Sequence, residues 1–395
     1  MGGARALTPQ LKDVAWERVG TDLRLVYDLR DQFVVEDPDG RVEKLVRLLR
    51  EGGRTVAELS EALSLPEEDV AAAVAVFDGE GLLEDGDRRG RLPAEDTERY
   101  FANLGFFESF ASLARSREDF QLDLSAAHVL VLGTGGLNST VVPHLAGLGV
   151  GRLTLLDRDV VEPRNFARQY LYHWDEIGLS KVRCAGQWVR DFDPRVEVRT
   201  IDRGVVGLPG LLELLDQVRP TAVAAGIDSP STVDEWVNTA CVVSGIPYVR
   251  GGMYVSQGIV WSVLPGQSAC LDCTLHRHRN TGSADDLRGV ALYRTKARSN
   301  RGIGPVAGLL GSLAAFELLR ILTGFEPPAY AGRPLQVDFA AGCAMRQFAW
   351  ERVPSCPTCG DGTGVETSEE VSAGEDQNQA DREHSGDASD LSGVR

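Results

Sequence analysis

The stretch His128–Asp157, HVLVLGTGGLNSTVVPHLAGLGVGRLTLLD, decides the fold. His128–Leu132 is a continuous apolar run, the mark of a buried strand. Gly133, Gly135 and Gly136 follow, and glycines at this point let backbone amides close on phosphate oxygens at a helix N-terminus. Leu137–Leu148 reads as that helix, entered through Asn138-Ser139-Thr140, and Arg152–Asp157 as the next strand, ending in an acid. Strand, glycine loop, helix and strand make a βαβ nucleotide-binding unit, with Asp157 at the interval of a carboxylate that holds ribose hydroxyls. The dinucleotide pattern would put a third glycine where Asn138 stands. The loop alone therefore leaves NAD, ATP or no nucleotide open.

Further strands are expected at 196–200, 222–225, 248–250 and 259–263, with helices between them. The longest apolar stretch, Ile303 to Phe316, stops at Glu317. It falls short of the roughly 20 residues that span a bilayer and reads as a buried helix. Two C-x-x-C pairs, Cys270/Cys273 and Cys356/Cys359, are separated by 82 residues. Each pair can offer two thiolates to a tetrahedral Zn²⁺ or act as a redox dithiol, and a closed four-thiolate zinc site on both pairs would leave no room for substrate. His276 and His278 nearby read as surface residues, and Cys184 and Cys343 as buried packing residues.

The block after Asp157, DRDVVEPRNFARQYLYHWDEIGLSKVRCAG, carries a family signature. It resembles the ThiF/MoeB and ubiquitin-activating-enzyme superfamily, whose pattern D-x-D-x-V-x-x-x-N-x-x-R-Q then G-x-x-K is met by Asp157, Asp159, Val161, Asn165, Arg168, Gln169, Gly178 and Lys181. The likeness continues through AGIDSPSTVDEWVNTACVVSGIPYVRGG, ACLDC and GIGPVAGLLGSLAAFELLRILTGF to CPTC, covering about 125–360. It implies ATP and Mg²⁺ as ligands, with Gly133, Gly135, Gly136, Asp157, Asn165 and Gln169 binding nucleotide. Arg168 and Lys181 would supply cations to the phosphates, and Asp228 would hold magnesium. Adenylation brings a carboxylate against a triphosphate, so charge neutralisation dominates the chemistry. Three departures stand out. Arg99-Tyr100 resembles the family's R-Y-x-R-Q segment, but Ala102 replaces its second arginine, leaving Arg115 or Arg117 as substitutes. Ser229-Pro230 follows Asp228 where asparagine is usual. The crossover 274–342 holds no cysteine to form a thioester.

Residues 1–91 read as a separate small domain. Strand candidates at Leu23–Asp28 and Phe33–Val35 precede an apolar helical stripe over Val42–Leu49 that Gly52-Gly53 ends. Thr55-x-x-Glu58 and Ser64-x-x-Glu67 are capping-box signatures for two more helices, and Leu82-Leu83-Glu84 begins a wing. Such a winged helix commonly binds DNA. Here it holds 20 acidic and 13 basic residues, and the second helix, VAELSEAL, has no basic side chain, which excludes nucleic acid. The element order resembles the PqqD-like peptide-recognition domain, implying a leader peptide added as a strand.

The fold class expected is thus α/β, a Rossmann-like ThiF-type domain with a small N-terminal winged helix. The boundaries read 1–91, a connecting helical segment 92–124, the adenylation domain 125–360 and an acidic tail 361–395. The chain's net charge is −17, and the tail holds 10 acidic and 2 basic residues with few large apolar ones, so it reads as disordered. MGGARALTPQ lacks the apolar core of a secretion signal, and Ala6 breaks the myristoylation pattern, so a cytoplasmic protein without a membrane span is expected. The two domains together resemble the ThiF-like leader-binding partners of YcaO cyclodehydratases in ribosomal-peptide natural-product clusters. The reading is an ATP-dependent adenylyltransferase acting on a precursor peptide, a homodimer by family resemblance, with a YcaO enzyme as possible partner. The alternatives are a non-catalytic scaffold that delivers a leader peptide, which Ala102 and Ser229 favour, and activation of a ubiquitin-like sulfur carrier. An NAD dehydrogenase would need neither the N-x-x-R-Q block nor the cysteine pairs.

Overall fold

The computed structural model describes residues 7–27, 32–88, 90–254, 256–275 and 302–360. The histidines 276 and 278 and the acidic tail lie outside these residues. An N-terminal set of elements comprises β1 (Pro9–Leu11), β2 (Ala15–Val19), β3 (Asp22–Val26), β4 (Gln32–Glu36), α1 (Arg41–Glu51), α2 (Val56–Leu63), α3 (Glu67–Gly79) and β5 (Leu83–Asp85). β2, β3 and β4 form an antiparallel meander, and β1 pairs with β5. Leu23 and Leu25 of β3 are buried with Val46, Leu49, Leu59, Val70 and Phe77 of the helices, so one face of the meander rests on the helical stripes the sequence displays. Thr55 and Glu58 close the expected capping box on α2. Ser64 does not cap α3. It ends α2 instead, at φ 57°, and Pro66 occupies the N-cap of α3. The pattern matched because serine serves at both helix ends, where its backbone leaves the helical region.

The connecting helices are α4 (Ala94–Arg99), α5 (Phe101–Glu108) and α6 (Arg117–Ala126). Buried polar contacts tie them to the N-terminal elements. The Lys12 ammonium, 1% exposed, donates to the carbonyls of Gly81 and Ala111 at 2.7 Å each. Arg117 pairs with Glu84 of β5 and Glu108 of α5. The Glu118 carboxylate accepts the amides of Gly90, Arg91 and Leu92 at 2.7, 2.6 and 3.0 Å. Replacing Lys12 by methionine strips two carbonyls of their donor and should cost about 2–4 kcal/mol in denaturant unfolding. Burial pushes the Lys12 pKa down from 10.5 to about 8. Above about pH 8 the unfolded chain holds a proton that the folded chain has released, so this group adds stability as pH rises toward 10.5. Neutral lysine still has two N–H groups for its two carbonyls. The stability gap between wild type and Lys12→Met should therefore widen by about 1–3 kcal/mol between pH 7 and 10.

The remaining elements are β6 (His128–Leu132), α7 (Asn138–Leu148), β7 (Arg152–Asp157), α8 (Lys181–Phe192), β8 (Glu197–Asp202), α9 (Gly207–Val218), β9 (Ala222–Ala225), α10 (Val233–Val243), β10 (Tyr248–Tyr254), β11 (Gln257–Val263), α11 (Gly304–Thr323), β12 (Leu335–Asp338) and β13 (Ala344–Gln347). Their strands form one eight-stranded sheet in the order β13-β12-β11-β10-β9-β6-β7-β8. β10, β9, β6, β7 and β8 are parallel, and the other three continue antiparallel. Period-two alternation assigns the two faces of β6. Val129 and Val131 pack with α7, α8 and α11, while Leu130 and Leu132 pack with α9 and α10. From β6 the chain moves to β7 and β8 on one side, then returns to β9 and β10 on the other. That reversal opens a crevice at the C-terminal ends of β6 and β9, where α/β sheets bind ligands.

α11 runs past the expected stop at Glu317 to Thr323. The buried Glu317 carboxylate accepts the Ser262 hydroxyl at 2.6 Å and the amides of Ala329 and Tyr330 at 2.9 and 2.8 Å. These three donors and the Arg320 guanidinium at 3.8 Å offset its charge inside the core, so an acid ends the apolar run without ending the helix. By length and composition alone α11 could cross a membrane, yet 61% of its apolar window is buried within this fold. Cys184 is buried, whereas Cys343 is exposed, which corrects the packing role expected for it. Cys343 sits beside Gly342 in the β12–β13 turn, both at positive φ (63° and 66°), and a turn tip has no core to enter.

Candidate functional site

At the crevice lies a cavity of about 640 Å³, within the roughly 300–1,000 Å³ of small-molecule sites. Its lining includes Gly133, Gly135, Gly136, Asp157, Asn165, Arg168, Gln169, Lys181 and Asp228, bringing every residue expected at the nucleotide site to one place.

The glycine loop follows from close packing. Gly133 has φ +82°, and a Cβ there would lie 2.9 Å from Ile227 and 3.2 Å from the Gly226 backbone. A Cβ on Gly136 would crowd the Arg168 side chain at 3.1 Å. Asn138, in place of a third glycine, is 1% exposed and donates to the carbonyls of Leu132 and Gly133 at 3.1 and 2.7 Å. It thereby fastens the loop to the strand end. Its cost is space at the facing residue, where a Cβ on Gly226 would meet the Asn138 amide at 2.5 Å. The glycine has in effect moved across to the partner strand. Asp157 also shapes the loop. One carboxylate oxygen accepts the Thr134 amide and hydroxyl at 2.7 and 2.9 Å, and the other accepts the Asp159 amide at 2.9 Å. The second oxygen keeps a lone pair available to a hydroxyl.

Opposite the loop, the segment 163–169 presents Asn165, Arg168 and Gln169. The Asn165 side-chain oxygen accepts the Glu162 amide at 2.9 Å and fixes the turn, and the residue lines the cavity. The Arg168 carbonyl is held by the Ser139 hydroxyl at 3.1 Å. Its guanidinium Nε and the Gln169 Oε1 are buried without a partner among the described residues. Burial lowers the Arg168 pKa, and Asp228 only partly opposes this. Lys181, 5% exposed at the start of α8, reaches Asp159 at 3.1 Å. Arg158, Arg164 and Arg203 add charge at the rim.

Sequence reasoning missed Arg250. This buried guanidinium bonds Asp234 at 2.8 Å and Asp228 at 3.1 Å, and also donates to the carbonyls of Ala225 and Gly251. Burial works against its charge, but the two acids outweigh that and raise its pKa. Arg250 thus sets the position of the largely exposed Asp228 carboxylate at the cavity. A lone arginine in YVRGG gives no motif; only its burial between two acids marks it.

Ala102 is exposed on α5. The two arginines suggested in its stead are engaged elsewhere in the chain, Arg115 with Asp123 and the Phe120 ring, Arg117 with Glu84 and Glu108.

The four cysteines make a second, separate cluster. Cys270, Cys273, Cys356 and Cys359 are all buried, with every Sγ within 4.8 Å of the others. Three of the separations are 4.0, 3.7 and 3.3 Å. Tetrahedral Zn–S bonds of about 2.3 Å place sulfurs about 3.8 Å apart, so this cage could bind zinc. About one zinc per purified chain is expected by elemental analysis, and Cys270→Ser/Cys356→Ser should carry essentially none.

The ThiF family profile matches residues 108–358. The SAMP-activating enzyme E1 of Haloferax volcanii is 28% identical over 254 residues, 63% of this chain and 85% of that protein. The adenylyltransferase and sulfurtransferase MOCS3 of Mus musculus is 34% identical over 242 residues, 61% of this chain and 49% of its own, so the chain spans about half the length of that relative. Among solved structures, Escherichia coli MccB with ATP superposes with a TM-score of 0.70 at 19% identity, covering 90% of this chain and 100% of MccB.

Proposed function

The chain belongs to the ThiF family of ATP-dependent adenylyltransferases, and from that premise we propose that it activates the carboxylate of a ribosomally made precursor peptide held by its N-terminal elements. The carrying observation is the switch-point cavity, where a glycine loop faces Arg168 and Lys181.

In this reading the Gly133–Gly136 loop and the N-terminus of α7 receive the triphosphate, and Asp157 and Asn165 orient the nucleotide. The peptide carboxylate oxygen attacks the α-phosphorus. A new oxygen–phosphorus bond forms, the bond to the β-phosphate oxygen breaks, and pyrophosphate leaves with that electron pair. Two anions must meet, so Arg168 and Lys181 lower the repulsion and bear the charge that develops on the phosphoryl oxygens. Gln169 keeps the loop and the phosphates in register. Asp228, exposed to the cavity and anchored by Arg250, fits the single carboxylate that Mg²⁺ commonly takes beside phosphate oxygens. An Mg²⁺ held there would supply positive charge against the negative charge of the pyrophosphate.

The peptide role rests on the N-terminal sheet and on one neighbour. β4 is an edge strand, so its outer backbone groups can pair with an added strand. Phe33 on β4 meets Phe77 of α3 edge-on at 5.8 Å, which sets α3 beside that edge. The exposed residues of α3 include Ala71, Ala72, Ala75 and Val76, small enough for a peptide to lie close. Escherichia coli MccB has been captured with N-formylated MccA. The domain division at residue 91, a homodimer, a YcaO enzyme downstream and a cytoplasmic setting belong to the same proposal.

A second reading, activation of a ubiquitin-like sulfur carrier, is favoured by the names of relatives such as the ThiS adenylyltransferase of Escherichia coli. It leaves the N-terminal elements without a task. ATP–pyrophosphate exchange separates the two. Exchange that depends on the cognate precursor, and is lost when its leader is removed, supports the first. Exchange driven by a sulfur-carrier protein and indifferent to peptide supports the second, and no exchange with either overturns catalysis in favour of a scaffold.

A further inference from the structure

The two sites share α10. Asp234, in its first turn, accepts from Arg250 at 2.8 Å, and Arg250 holds Asp228. Asn238 stands four residues on, hence on the same face of the helix. It is fully buried, and its bonds go to the first cysteine knuckle and β10. Its Oδ1 accepts the Leu271 amide at 2.9 Å and the Tyr248 hydroxyl at 3.1 Å, while its Nδ2 donates to Asp272 at 3.2 Å. Asp272 also accepts the hydroxyl of Thr358. Leu271 and Asp272 lie between Cys270 and Cys273, and Thr358 lies between Cys356 and Cys359. The inner residues of both knuckles are therefore tied to each other and to one turn of α10.

Burying an asparagine costs free energy for each polar atom left unbonded, and here the bonds depend on knuckle geometry. Four thiolates around one ion fix that geometry; without the ion they repel when charged. We propose that Asn238 is a positioning residue that couples the two sites through α10. Loss of the metal shifts α10, moves Asp234 and Arg250, and misplaces Asp228 at the nucleotide cavity. The coupling rests on the nucleotide reading above, whereas the hold of Asn238 on the knuckles does not.

The test uses the full chain with zinc bound. Zinc release into a chromogenic chelator and the Kd for ATP with Mg²⁺ are measured for wild type, Asn238→Leu and Thr358→Val. Release from both variants should be about 10–100-fold faster than from wild type, the usual effect of losing a partner behind a metal ligand. Chelated wild type should bind ATP at least about 5-fold more weakly than untreated protein. Zinc-loaded Asn238→Leu should be weakened similarly, and chelation should change it little further. Should Asn238→Leu fail to fold, Thr358→Val still reports the release rate, since it removes one hydroxyl at the partly buried edge. Wild-type release rates in the variants, or an unchanged Kd after wild-type zinc is stripped, overturn the proposal. If untreated wild type binds no ATP, the nucleotide reading fails instead, and release rates alone decide the role of Asn238.

Discussion

Arg168→Ala is expected to slow ATP–pyrophosphate exchange by about 10²–10³-fold, the effect of removing one preorganised donor from a developing charge. Arg117, Arg195 and Arg250 spend their charge on carboxylates within the chain. Arg168 feels Asp228 only through space, and its Nε is buried with no acceptor among the described residues, beside the Gly136 backbone. Holding a desolvated cation there costs free energy, which a phosphate would return. The loss should appear in the exchange rate more than in the fold. The residue's backbone stays fastened by Ser139 and Asn165. An unchanged melting temperature with a collapsed rate is the expected pair of results. Lysine at this position should recover only part of the rate, since it keeps the charge without the planar fork.

Asp228→Asn should have an effect of similar or larger size, about 10²–10⁴-fold on exchange. Asparagine preserves the shape and can still accept from Arg250, so α10 and the cavity wall should stay in place. What disappears is the negative charge that favours a divalent cation. The apparent Mg²⁺ requirement should therefore rise, and high Mg²⁺ should restore part of the activity. A variant with wild-type rate and unchanged Mg²⁺ dependence would leave Asp228 as a structural partner of Arg250. Titrating Mg²⁺ against exchange rate distinguishes these outcomes.

Legibility followed periodicity and chemistry. β7 and β9 fall at the expected residues because each is a short apolar run bounded by loop signals. α7 begins one residue late, at Asn138. β1 and β13 escaped notice for a physical reason. Pro9–Leu11 is too short to show alternation, and Ala344–Gln347 is exposed along its whole length. Both are strands because a neighbour offers an edge, not because their own residues demand it. α11 was cut short because Glu317 reads as a surface acid until its three donors are seen. At the site, the residues of the N-x-x-R-Q block could be named because the block resembles a family pattern, and the structure brings them to the cavity. Arg250 and Asn238 could not, since their roles arise from partners 10 to 34 residues away. The N-terminal helices were readable from their stripes, while the meander strand β2, four of its five residues exposed, was not.

The most direct measurement is a crystal structure of the full chain with a non-hydrolysable ATP analogue and Mg²⁺. The predicted result has the triphosphate within hydrogen-bond distance of the Gly135 and Gly136 amides, Arg168 and Lys181 on its oxygens, and Asp228 beside the ion. Analogue bound away from the β6–β9 crevice, or a vacant cavity at saturating analogue, would contradict the account.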